Sequence, residues 1–216
     1  MKSEYKKHII WDWNGTLFDD VFLCMDIMNN ILSRRNLNKL TVEEYRNVFT
    51  FPVKKYYQKI GHDLSGDNFE RLSVEFISEY ENRKYECKLY PDAVNVLKTI
   101  NQKGISQSIL SAYSQHTLEE IVEYFGIRNF FVRLIGLDNI YAGGKMENGK
   151  RWIREIDCER NDVLLIGDTV HDYEVARELS IDCLLISCGH QSKDKLLPTG
   201  QKVLDSLSEL FEELSF

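Results

Sequence analysis

The chain has 216 residues, 43% hydrophobic and 28% charged, with 27 Lys and Arg against 34 Asp and Glu and a net charge of −7. This is the composition of an ordinary globular protein with enough length to bury a real core, and its acidic balance argues against nonspecific binding to nucleic acid or to anionic membranes. The apolar run near the N-terminus, HIIW, is too short for a signal sequence or a membrane span. The protein is therefore expected in the cytoplasm, with its five cysteines, none in a CxxC pair, as reduced thiols.

Residues 8–11 read as a buried strand that stops at Asp12 and turns through Asn14-Gly15. Val21, Met25, Met28, Ile31 and Leu32 then recur at helical spacing, with Asp19 and Asp20 where negative charge favours a helix N-terminus. Thr41 with Glu44 forms a capping-box pattern that opens a helix ending before Pro52. Further helical patterns run over residues 53–60 and 68–85. From Pro91 onward helix and strand alternate: a helix ending at Gly104, a strand 105–110 stopping at Ser111, and a helix 114–125 closed by Gly126. A strand at 132–135, a loop through Gly143, Gly144 and Lys145, and a helix through Trp152 and Ile156 follow. A strand 163–166 ends at Gly167-Asp168, a helix covers 172–179, a strand 183–187, and a final helix ends near Leu214.

Such alternation implies parallel strands joined by crossover helices, hence an α/β, Rossmann-like, doubly wound parallel sheet, and the early helical block implies an inserted all-helical cap. The expected division is a core of residues 1–19 and 87–216 with a cap of residues 20–86.

Asp12 with Asn14, Ser111, Lys145 and Asp168 with Asp172 all fall at the carboxyl ends of core strands or on loops beside them, where ligands bind in open α/β sheets. Carboxylates gathered without His or Cys would repel one another unless a hard cation lay between them, and an all-oxygen donor set favours magnesium. A strand-end hydroxyl and an ammonium would hold phosphate oxygens. These parts together specify phosphoryl chemistry, in which an aspartate can attack phosphorus and divide one slow hydrolysis into two displacements.

The same residues resemble the haloacid dehalogenase-like superfamily of phosphohydrolases. DWNGT at Asp12 to Thr16 is similar to its first motif, DxDGT, except at Asn14; ILS ending at Ser111 to its second; Lys145 to its third, with Lys150 as the alternative; and GDTVHD, Gly167 to Asp172, to its fourth. FPVKKYY, LYPDAVNVLKTINQKGI and LLIGDTVHDYEVA look most like the phosphoglycolate phosphatase-like branch, and the helical insert looks like that family's C1-type cap. The resemblance implies that Asp12 is the nucleophile and a metal ligand, and that Asn14 ligates through its main-chain carbonyl. It also implies that Asp168 and Asp172 complete a magnesium site and that Ser111, Ala112 and Lys145 hold the phosphoryl group. The implied partner is a small phosphorylated metabolite; with the acidic balance, no nucleic acid and no membrane are expected as partners, and the assembly is expected to be a monomer or homodimer.

The departure at Asn14 falls on the position whose aspartate protonates the leaving oxygen and later activates water. An amide does neither at neutral pH, and general acid-base catalysis is worth ~10²–10⁴-fold. Two expectations follow: a phosphoric monoester hydrolase of modest rate, or one preferring leaving groups that need no proton; and, alternatively, a phosphometabolite-binding or regulatory protein. Phosphonatase chemistry would require a cap lysine signature that is missing, and dehalogenases lack the GDxxxD pattern. His171 is expected to lie in its turn at the surface or behind the site, not as a ligand, His190 to be structural, Phe51, Tyr56, Tyr57 and Phe76 to form cap core, and Lys54 and Lys55 to be solvated.

Overall fold

A computed structural model describes residues 6–137 and 144–214. Strand β1 (His8–Trp11) is buried along its whole length because both faces of its sheet are covered: Ile9 and Trp11 point into one apolar cluster and Ile10 into another. Such two-sided burial is what makes a short, uninterrupted apolar run the correct sequence for a central parallel strand.

Chain order continues through β2 (Phe18–Asp19), α1 (Val21–Arg34), α2 (Val42–Val48), α3 (Val53–Lys59), α4 (Asn68–Arg83) and β3 (Lys88–Leu89). It then alternates: α5 (Ala93–Gln102), β4 (Ser106–Ser114), α6 (Gln115–Tyr124), β5 (Arg133–Leu137), α7 (Gly144–Glu155), β6 (Val163–Gly167), α8 (Val170–Leu179) and β7 (Asp182–Ile186). Helix α9 (Lys193–Leu196), β8 (Lys202–Leu204) and α10 (Leu210–Glu213) close the described chain. The sheet has the order β5-β4-β1-β6-β7-β8, with every pairing parallel. The fold is therefore the doubly wound α/β core with an inserted helical cap that the alternation predicts.

After β1 the chain builds β4 and β5 on one side and then crosses to β6, β7 and β8 on the other. The carboxyl ends of β1, β4 and β6 consequently lie together at the point where strand order reverses, which is where a crevice opens in such sheets. Helices α1 to α4 enter and leave over a separate antiparallel ribbon in which Phe18 pairs with Leu89 and Asp19 with Lys88. In α1, Val21, Cys24, Ile27, Met28, Ile31 and Leu32 form the buried stripe. The α2 capping box is present in full: Thr41 accepts from the Glu44 N–H, and the Glu44 carboxylate accepts from the Thr41 N–H at 2.8 Å.

Two expectations are corrected. Gly144 and Lys145 open helix α7 instead of lying in a loop, while Gly143 is outside the described residues. The single final helix is replaced by α9, β8 and α10, because Lys202–Leu204 adds a sixth strand by backbone pairing to β7. No helix among the described residues is long and apolar enough to cross a membrane.

Candidate active site

The turn after β1 is held by its own backbone. The Trp13 carbonyl accepts from the N–H groups of Leu17 and Phe18, both at 3.0 Å, and the Gly15 N–H donates to the Phe18 carbonyl at 2.8 Å. Gly15 has φ +72°, and a side chain there, or at Gly189, would collide with the Asp168 carboxylate. These two positions need glycine for the conformation in one case and for close approach to a carboxylate in both.

Asp12, Asp168 and Asp172 are all buried, and their carboxylate oxygens lie within 4.8 Å of one another. Lys145, on the first turn of α7 and 3% exposed, places Nζ 2.6 Å from Asp12 Oδ1 and 2.7 Å from Asp172 Oδ1. Asp172 also completes a capping box on α8, its Oδ2 accepting from the Thr169 N–H at 3.0 Å and from the Thr169 hydroxyl at 2.6 Å. One side chain thus caps a helix and faces the site.

A single ammonium does not offset this much negative charge. Burial acts against ionisation at all three aspartates, but Asp172, with Lys145 and Thr169 beside it, is still held below the usual carboxylate range. Asp12 is pushed well above that range, by burial first and by the Asp172 charge second. Asp168 rises to about 6, driven by burial and opposed by the His190 cation. The residues therefore fit a divalent cation: the donors are all oxygen, and the excess negative charge is what such an ion removes.

Asn14 lies beside this cluster, and its amide nitrogen is fully engaged. Its Nδ2 donates to Asp20 Oδ2 at 2.8 Å and to the Tyr80 hydroxyl at 2.9 Å. A carboxylate only accepts, so the amide nitrogen must be the atom facing Asp20. Asp20 is the N-cap residue of α1 but makes no side-chain capping bond. Its Oδ1 instead accepts from the Gly15 N–H at 3.0 Å and from His190 Nε2 at 3.1 Å, and its Oδ2 from the Tyr80 hydroxyl at 2.7 Å. His190 bonds the Tyr45 hydroxyl through Nδ1 at 2.8 Å, and its own N–H donates to Asp168 Oδ2 at 2.6 Å. Burial works to discharge this imidazole, yet Asp20 outweighs it and raises the pKa to about 9, while the same pairing holds Asp20 low. Asp20, Cys24 and His190 are also close enough to share a metal, but they are already joined by hydrogen bonds to Asp20.

A cavity of about 770 Å³ opens over these residues, with Asp12, Asn14, Ser111, Ala112, Lys145 and Asp168 at its floor. Of the predicted site residues, only Asp172 does not reach the cavity wall; it meets the site from behind through Lys145. Ser111 is buried at 1% exposure, its hydroxyl accepting the Tyr113 N–H at 3.1 Å. The alternative lysine, Lys150, points away to Glu147 and Glu178 at 3.3 and 2.9 Å. His190 and His171 both line the cavity, and Phe51, Tyr56, Tyr57, Phe76 and Lys54 line it as well. Asp20, Tyr45 and Tyr80 were not anticipated. An aspartate before a helix reads as a cap, and tyrosines at helical spacing read as core; the one available signal was the doubled Asp19-Asp20, of which only one is needed to start α1.

The family model described as haloacid dehalogenase-like hydrolase matches residues 9–186. Among curated relatives, a phosphoglycolate phosphatase of Vibrio parahaemolyticus is 24% identical, covering 98% of this chain and 97% of its own. The pyrophosphatase PpaX of Oceanobacillus iheyensis is 24% identical over 76% of this chain and 75% of its own. A haloacid dehalogenase-like family hydrolase from Streptococcus pneumoniae has the same fold, with a TM-score of 0.82, 19% identity, and 97% and 98% of the two chains covered. The family model spans the strands that carry Asp12, Ser111 and Asp168 as well as the inserted helices, and the chain belongs to the haloacid dehalogenase-like hydrolase family.

Proposed function

We propose that the protein is a magnesium-dependent phosphomonoesterase that acts on a small phosphorylated metabolite through a phospho-aspartyl intermediate on Asp12. The observation that carries this reading is the position of Lys145 Nζ, 2.6 Å from Asp12 Oδ1, beside two further buried carboxylates. An anionic nucleophile and an anionic substrate repel each other, and that arrangement is useful only where the repulsion is offset in the transition state. Asp12, Asp168, Asp172 and the Asn14 main-chain carbonyl would hold magnesium, which when bound supplies Lewis-acid stabilisation of the phosphoryl oxygens.

Asp12 attacks phosphorus, Lys145 and the Ser111 hydroxyl with the adjoining backbone at Ala112 hold the phosphoryl oxygens, and the helical cap excludes bulk water. Asn14 positions a water, which donates to its Oδ1, and neither gives nor takes a proton. The test is release of inorganic phosphate from a panel of phosphomonoesters with magnesium and again with a chelator. Folded protein that releases none from any ester in magnesium contradicts the proposal.

The commitment of both Asn14 amide protons favours a second reading as well, a binding or regulatory protein whose aspartyl-phosphate is long-lived. Its signature is a covalent phosphate retained on the Asp12 peptide after the donor is removed, without multiple turnover.

A further inference from the structure

The cavity over Asp12 is built for something other than a small phosphorylated acid. Its volume, about 770 Å³, is that of a site for a drug-sized ligand. Its upper wall is aromatic: Phe49 and Phe51 from the end of α2 and the turn after it, Tyr56 from α3, and Phe69 and Phe76 from α4. Phe51, Phe69 and Phe76 are only half-buried, so their faces remain available to a ligand. Phe51 already packs on the His171 ring, with centroids 5.0 Å apart, and Phe49 on His190 at 5.1 Å. The hydroxyl of Tyr56 is buried with no hydrogen-bond partner among the described residues, a polar atom in an apolar wall that a ligand substituent can satisfy.

The charge of that wall is unsuited to a second anionic group. Among the described residues, Lys145 and the His190 cation line the floor, each already paired with a buried aspartate, and Lys54, which is exposed, lies over the Phe69 ring at 5.4 Å, whereas Glu70, Glu81 and Glu174 all line the cavity. No arginine lines it among the described residues. A phosphorylated hydroxy acid would bring its carboxylate against three glutamates with no guanidinium to pair it. A flat uncharged ring would meet aromatic faces.

The same class of substrate resolves the chemistry at Asn14. With both amide protons committed to Asp20 and Tyr80, Asn14 offers the leaving oxygen no donor of any kind. An alkoxide, whose conjugate acid is about as weak as water, is a poor leaving group without one. A phenoxide, with a conjugate acid near pKa ~10, departs unassisted far more readily.

We propose that the substrate is an aryl phosphate, the phosphomonoester of a phenol-type hydroxyl on a flat ring that carries no second anionic group. This rests on the phosphomonoesterase reading and names its substrate class. In the first step an Asp12 Oδ–P bond forms as the aryl O–P bond breaks; the phenoxide keeps the electron pair and takes its proton from solvent. In the second a water oxygen bonds to phosphorus, the Asp12 Oδ–P bond breaks with its pair returning to the carboxylate, and both water protons leave on the phosphate as H2PO4−.

The experiment measures kcat/KM with magnesium for four esters: phenyl phosphate, benzyl phosphate, cyclohexyl phosphate and 2-phosphoglycolate. Benzyl phosphate keeps the ring but leaves as an alkoxide, cyclohexyl phosphate matches the size without the aromatic face, and 2-phosphoglycolate adds the carboxylate. Phenyl phosphate is expected to exceed benzyl phosphate by at least ~10²-fold in kcat/KM. Benzyl phosphate is expected to bind ~10-fold more tightly than cyclohexyl phosphate, and 2-phosphoglycolate to be the poorest of the four. Phe76→Leu and Phe51→Leu, which keep apolar volume and lose the ring, should each raise KM for phenyl phosphate several-fold. A kcat/KM for 2-phosphoglycolate or cyclohexyl phosphate at or above the phenyl phosphate value, or equal kcat/KM for phenyl and benzyl esters, overturns the aryl assignment and leaves the phosphatase reading intact. Folded protein inert towards all four overturns both.

Discussion

The amide nitrogen of Asn14 sits 2.8 Å from Asp20 Oδ2, so it is tied to a carboxylate and is not available as a hydrogen-bond donor to the proposed substrate. That pairing also determines what an aspartate would do there. In Asn14→Asp two carboxylates would meet, and one of such a pair retains its proton to higher pH. The variant should therefore carry an acid near neutrality and gain up to ~10²–10⁴-fold in kcat/KM on benzyl phosphate, while phenyl phosphate, whose departure needs no acid, gains under ~10-fold in kcat/KM. Steady-state rates on the two esters check this; equal gains on both would remove the account of Asn14 given above.

Lys145 holds Asp12 and Asp172 at 2.6 and 2.7 Å, and all three are buried. Lys145→Met strands two carboxylates without their cation. Breaking a buried pair in this way costs about 3–5 kcal/mol, so the urea midpoint should fall markedly, with phosphate release lost by more than ~10²-fold. Magnesium should restore part of the midpoint without restoring turnover, since it relieves the repulsion but does not replace the ammonium. An unchanged midpoint would show that the ammonium is not the group neutralising this cluster.

Arg46, in α2, donates to the Cys188 carbonyl from Nη2 at 2.6 Å and to the Gly189 carbonyl from Nε at 2.9 Å, and Lys195 and Gln191 reach back to the Phe49 carbonyl. Charged hydrogen bonds of this kind are worth about 1.5–3 kcal/mol each. Arg46→Ala should loosen the seating of α2 and α3 on the core. The expected signs are faster amide exchange across Val42–Lys59 with the β1 and β6 amides unaffected, together with a raised KM. Exchange that accelerates uniformly through the sheet would show a global loss of stability instead.

His8 supplies the pH dependence of folding away from the site. Its ring is buried between the hydroxyls of Ser106 and Ser108, at 2.6 and 2.8 Å, and burial lowers its pKa from 6.5 to about 4. The unfolded chain therefore binds this proton first, and stability declines as pH falls from about 6.5 to about 4. Above 6.5 the residue contributes no slope. At about 1.36 kcal/mol per pH unit the loss is roughly 3 kcal/mol, and His8→Gln should flatten that part of a denaturation-versus-pH curve.

The parts of this architecture that can be read from sequence are those in which local pattern and tertiary role agree. Residues 8–11 and 163–166 are apolar runs that end in Asp12 and in Gly167-Asp168, and the structure makes each a central strand delivering its carboxylate to the crevice. Where pattern and role diverge, reading fails. Two consecutive glycines before Lys145 look like a turn, yet Gly144 is already helical, since a helix start tolerates glycine and its first N–H groups need no partner. Strand β8 is three residues in polar surroundings, formed because β7 presents a free edge. The Asp20 network is the extreme case, because its members come from residues 14, 20, 45, 80 and 190 and no spacing in the chain connects them.

The narrow ribbon between β2 and β3 joins the helical block to the sheet through only two residue pairs. On the helical side of it stand Tyr45 and Tyr80; on the other stand His190 and Asn14, and the hydroxyls of the first pair bond the side chains of the second. The two hydroxyls are therefore rivets set at the cavity floor, and they join the helical block to the sheet in the cavity that Asp12 also lines, while Arg46 fastens the same block through the Cys188 and Gly189 carbonyls.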